Sequence, residues 1–108
     1  MQTIWVLVNC NTKEEAINIG DNILKQRLGS CYDIFPRELT KYFWPPKSGK
    51  IETAKGTLLI VETLKVKYVK LHSVVKKMHS DELPFIGYID IKGTEDSYNK
   101  WVEGELLK

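Results

Sequence analysis

His79 is followed after Ser80 by Asp81 and Glu82, and that grouping is the sequence's clearest candidate for chemistry. A neutral imidazole is the commonest protein ligand for copper and zinc, and neighbouring carboxylates can add oxygen ligands. Glu62 joins them if its strand ends nearby. The competing structural reading is a histidine at a helix C-terminus, where its cation is favoured by the dipole. Cys10, set between Asn9 and Asn11, reads as an exposed thiol that could serve as a further ligand. Cys31 reads as core, because free cysteine behaves as a small hydrophobe, and His72 sits among lysines as a surface residue. There is no Cys-x-x-Cys or His-x-x-x-His spacing, so a preformed high-affinity metal site within one subunit is not expected, and any site must be assembled in space, between subunits included. No nucleophile–base pair is evident, which argues for a binding protein and against an enzyme.

The elements that must position these groups follow from periodicity. Ile4 to Val8 is a continuous apolar run and predicts a buried strand. Thr12-x-x-Glu15 is a capping box that opens a helix carrying Ala16, Ile19, Ile23 and Arg27 on one stripe, with Ile17, Leu24 and Leu28 beside it. Gly20 costs that helix about 1 kcal/mol relative to alanine, and Gly29 suits the left-handed residue that ends it. Short alternating segments follow from Cys31. Pro36 implies an edge or a bulge, and Leu39 to Trp44 places Leu39 and Phe43 on one face, Tyr42 and Trp44 on the other. Residues 45–56 give no clear pattern: prolines, glycines and Lys47, Lys50 and Lys55 surround a turn, with Lys41 just before it. Thr57 to Thr63 is the next strand.

Lys65 to His79 is a second helix, with Tyr68, Leu71, Val75 and Met78 inward and Lys67, Lys70, Lys76 and Lys77 outward. Phe85 to Ile91 is a fourth strand. Thr94 caps a last helix bearing Tyr98, Trp101, Val102 and Leu106. The order predicts an α+β, ferredoxin-like βαββαβ fold: a four-stranded antiparallel sheet with helices on one face, an extended β-hairpin and a short C-terminal helix. The hairpin, with the aromatic trio Tyr42-Phe43-Trp44, is longer than so small a core needs, which predicts pairing with another chain.

Bulk properties are consistent with one domain over residues 1–108. Hydrophobic residues make up 43% and charged residues 28%, ordinary for a globular chain. A net charge of +2 is too small to imply a nucleic-acid partner. No apolar run reaches the ~18 residues of a membrane span, and Met1 to Val6 runs straight into strand-like sequence with no leader pattern. Two cysteines make no disulfide framework, which predicts reduced thiols in the cytoplasm.

Four segments resemble the CutA divalent-cation-tolerance family across nearly the whole chain. Arg27-Leu28-Gly29-Ser30-Cys31 is similar to its Arg-Leu-x-Ala-Cys signature. Tyr42-Phe43-Trp44 with Gly49-Lys50-Ile51 is similar to its Tyr-x-Trp-x-Gly-x-Ile hairpin, with extra residues in the turn. The spacing from Thr63 to His79 matches that between its Lys-Thr and the histidine of its His-Pro-Tyr motif. Asp96-x-Tyr98-x-x-Trp101 resembles its last helix. The chain departs from the family at Glu62, Gly56 and Ser80-Asp81, and the position of a cysteine proposed as a copper ligand in some members falls at Val8. Cys10 lies two residues on, on the same face if the strand continues. The resemblance implies a homotrimer joined by the long ribbons, a role in divalent metal tolerance with copper the ion most often mentioned, and no cofactor-dependent reaction. Its alternative implication is a PII-like trimer that binds small anions in inter-subunit clefts near Lys41, Lys47, Lys50 and Lys55. An RNA-binding module of this strand order is excluded because Thr57 to Ile60 supplies no stacking aromatics. An acylphosphatase-like enzyme is excluded because Asn9 to Lys13 has neither the glycine-rich loop nor its arginine.

Overall fold

A computed structural model describes residues 1–107. Its elements are β1 (Thr3–Cys10), α1 (Lys13–Lys25), β2 (Cys31–Phe43), β3 (Ile51–Leu64), a 3-10 turn (Lys65–Lys67) running into α2 (Tyr68–Met78), β4 (Ile86–Asp90) and α3 (Asp96–Leu106). The strands form one antiparallel sheet in the order β2-β3-β1-β4. This is the ferredoxin-like arrangement that the element order predicts.

Strand periodicity divides the sheet into two unlike faces. Ile4, Val6, Val8 and Cys10 of β1 and Leu59 and Val61 of β3 point to one side and are fully buried. Ala16, Ile19, Ile23 and Leu71, Val75 close over them from α1 and α2. Each such aliphatic side chain contributes about 1.5–3 kcal/mol by leaving water. The alternate residues Trp5, Leu7, Leu58 and Ile60 face the other way and are only half-buried. The C-terminal helix α3 buries Val102 and Leu106 against Leu64 as a separate small cluster. Its Tyr98 hydroxyl donates to Glu62, which also accepts from Trp5 Nε1 at 3.1 Å.

Several boundaries differ from those the sequence suggests. Strand β1 runs through Asn9 to Cys10, since Asn9 simply occupies the half-buried face. Strand β2 is continuous, and β3 begins at Ile51 rather than Thr57. Beyond Cys10, which pairs with Thr57, β2 and β3 continue as a free two-stranded ribbon. Pro36 does lie on an edge strand. The register jumps from Arg37↔Gly56 to Thr40↔Ala54, so β2 holds one extra residue there, a bulge. Thr94 is not the cap of α3: Glu95 occupies that position, and Thr94 Oγ1 is buried with no partner.

The end of α1 also differs. Arg27, not Gly29, takes the left-handed conformation, at φ 57°. Gly29 is required for a different reason, because a Cβ there would sit 2.5 Å from Val61 Cγ1 and 2.9 Å from Ile23 Cγ2. Gly20 is likewise demanded by packing: the Tyr32 ring lies 2.7 Å from where its Cβ would be. Helix propensity is given up at Gly20 so that α1 can lie close to β2. Gly29→Ala should cost about 1–3 kcal/mol through overpacking, read as a lower urea midpoint with unchanged slope. A neutral result would show that the α1–β3 contact is slack.

Candidate metal centre

Three donors converge where β1 ends, α1 begins and α2 stops. The Cys10 Sγ, a Glu15 carboxylate oxygen and a His79 ring nitrogen lie within 4.8 Å of one another. Cys10 reaches the group because period two along β1 turns it inward beside Val8. The exposed Cys10 and core Cys31 expected from sequence are thus reversed. Cys10 is fully buried, whereas Cys31 is only half-buried on the opposite face, 3.3 Å from Glu62 Oε1.

Glu15 arrives through the capping box, with one change. Thr12 Oγ1 accepts from the Glu15 N–H at 3.0 Å as the motif requires. The Glu15 carboxylate reaches back to the Asn11 N–H at 2.9 Å rather than to that of Thr12, and its other oxygen accepts from Ser80 N–H at 2.9 Å. Burial alone would raise the carboxyl pKa, but the hydrogen bonds from Ser80 and Asn11 outweigh it and hold it below the ordinary value. His79 closes the last turn of α2, its N–H donating to Val75 O at 2.9 Å. The ring is fully buried. Its Nδ1 accepts from the Asp81 N–H at 3.0 Å, so the proton lies on Nε2, which donates to the Asn9 carbonyl at 2.6 Å. The nearer Glu15 oxygen is 3.8 Å from Nε2.

Of the four residues expected as ligands, the structure brings His79 and Cys10 together. Asp81 and Glu82 lie outside the trio. Asp81 offers the ring its backbone amide, and its carboxylate accepts from Asn11 Nδ2 at 2.9 Å. Glu82 is exposed on the wall of an adjoining cleft of about 680 Å³, which Asn11, Arg37, Trp44, Lys55 and Asp81 also line. Glu15 is the donor that sequence reasoning missed. It was legible only as a cap, because its contact with Ser80 joins residues 65 apart.

The chemistry of the trio suits a borderline divalent ion such as copper(II) or zinc, which accepts mixed sulfur, nitrogen and oxygen donors. The thiol must be ionised to serve. Burial first, and the Glu15 carboxylate second, push Cys10 up to about 12. At pH 7 it is therefore held as the neutral thiol. A metal bound there would have to displace that proton, so its affinity would rise steeply with pH.

Glu15 also makes the fold acid-sensitive. A carboxyl whose folded pKa is depressed contributes stability that is present above the unfolded value and lost as pH falls through the folded one. Glu15→Gln should lower stability by about 1–2 kcal/mol at pH 7. The gap from wild type should shrink as pH drops below the reference value of 4.5. Denaturant melts across pH 3–7 would read this, and a gap independent of pH would count against a charged Glu15.

Comparison with known proteins gives a consistent picture. Residues 4–105 match the family model described as CutA1 divalent ion tolerance protein. A CutA homolog of Danio rerio is 35% identical over 90% of the chain, which spans 63% of that relative's length. A divalent-cation tolerance protein CutA of Archaeoglobus fulgidus is 31% identical over 92% of the chain and 93% of its own length. The structure of the periplasmic divalent cation tolerance protein CutA from Archaeoglobus fulgidus superposes with a TM-score of 0.90 at 29% identity, covering 96% of this chain and 98% of that one. CutA1 from Oryza sativa gives 0.90 at 28% identity, covering 97% of this chain and 94% of its own.

Proposed function

The chain belongs to the CutA1 divalent ion tolerance family, and on that basis we propose a homotrimer that responds to divalent metal ions, copper foremost, with Cys10, Glu15 and His79 as the residues that would hold the ion. The observation that carries the metal reading is the convergence of a thiol, a carboxylate and an imidazole from three separate elements. A bound ion would supply a fixed positive charge where β1, α1 and α2 meet. Cys10 and Glu15 would neutralise it, His79 would orient it, and Asp81 would lie just beyond. This is a binding role rather than catalysis, since the one thiol beside an imidazole is buried and protonated. No helix among the described residues is long and apolar enough to cross a membrane. Free thiols without a disulfide support a reducing, cytoplasmic setting.

Assembly is supported by what the monomer leaves uncovered. Leu39 and Phe43 on the ribbon are 63% and 73% exposed, and Phe35, Ile51 and Ile89 are exposed too. So much apolar surface on one chain marks an interaction face. The PII-like alternative draws support from Arg37 and Lys55 in the cleft, but Asp81 and Glu82 share its walls and offset them. The cleft therefore offers an anion little net attraction.

Light scattering should give three times the chain mass of 12.5 kDa; a monomer at micromolar concentration would overturn the trimer. Calorimetry with copper or zinc should show His79→Ala binding at least about tenfold more weakly than wild type. Equal binding would remove His79 from the site.

A further inference from the structure

Both ring nitrogens of His79 are in use, and the ring is sealed from water. The surrounding bonds hold it there. Asn11 Nδ2 donates to Ser80 Oγ and to Asp81 Oδ1, each at 2.9 Å. The Glu15 carboxylate bridges the Asn11 and Ser80 amides. Together these bonds lace the β1–α1 junction to the α2–β4 junction.

An imidazole that coordinates through Nε2 carries its proton on Nδ1. Here that proton would face the Asp81 N–H, donor against donor. Coordination through Nδ1 would displace the Asp81 N–H outright. Either way, His79 cannot keep its bonds to Asn9 and Asp81 and also serve an ion.

We propose that the Cys10–Glu15–His79 site has two mutually exclusive states, the laced state of this structure and an open state competent for a divalent ion, and that the Asn11 side chain sets the balance between them. The inference rests on the metal reading above. Asn11 is a positioning residue: its amide offers no ligand, but it holds the segment whose Asp81 N–H occupies the ring. When only a fraction of molecules is competent, the apparent dissociation constant rises by the inverse of that fraction. Loosening the lacing therefore tightens binding, the opposite sign from losing a ligand.

Zinc chloride titrated calorimetrically into wild type, Asn11→Ala and His79→Ala tests this, each variant first checked for folding by a thermal melt. Asn11→Ala should bind zinc roughly three- to tenfold more tightly than wild type, and His79→Ala should lose it. If Asn11→Ala binds no more tightly while His79→Ala loses binding, the two-state inference falls and the metal reading stands. If His79→Ala binds as wild type does, or no chain binds, the metal reading falls and this inference with it. Amide hydrogen exchange on the wild type gives a second readout that needs no variant. Zinc should speed exchange at the Asp81 N–H, and unchanged or slower exchange there would overturn the open state.

Discussion

Antiparallel pairing of β1 with β3, from Thr3↔Leu64 to Cys10↔Thr57, is the constraint on which the other features depend. Because side chains alternate along both strands, this one register decides which residues enter the helix-covered core and which are left half-exposed. A slip of one residue would carry Ile4, Val6, Val8 and Cys10 to the open face and bring Trp5 and Asn9 inside. Burial of the aliphatic set holds the register against that. The same register puts Cys10 at the end of the sheet, under the start of α1 and beside the last turn of α2. The grouping of Cys10 with Glu15 and His79 is thus a by-product of where the central pairing ends.

Much of this was legible in the residues, and the exceptions share a cause. Apolar periodicity located the strands and helices that contribute to the core, because burial on one face imposes a repeat. Asn9 broke the apolar run and read as the start of a loop, yet it only continued the alternation onto the half-buried face. That single misreading turned Cys10 from a buried group into an exposed one. Residues 51–56 gave no pattern because their partner is β2 alone, with no core to select one face over the other. Gly29 reads from the sequence as the left-handed end of α1, but Arg27 takes that conformation, and Gly29 is required by close packing against Val61 of β3 and Ile23.

The candidate site illustrates the same division at higher resolution. The capping box announced Glu15 as the partner of a backbone amide, and it is. Its second oxygen is held by Ser80, across the fold, and that long-range bond changes a local cap into part of the polar network around a buried histidine. His79 reads from the sequence as a ligand or as a cation stabilised by the helix end; in this structure its ring has one donor and one acceptor matched to two backbone groups. A buried polar side chain satisfied in this way costs little to keep in place, and removing either partner would leave an unpaired group in a dry site.

The irregularity in β2 bears on the fate of the molecule at high concentration. An edge strand of regular pleat offers an unbroken row of amides and carbonyls, and copies can add to it without limit. Here Pro36 lacks the amide hydrogen, and the extra residue between Arg37 and Thr40 twists the strand beside it. A neighbour laid along β2 finds its hydrogen-bond ladder interrupted partway. Open-ended strand addition along this edge is thereby disfavoured.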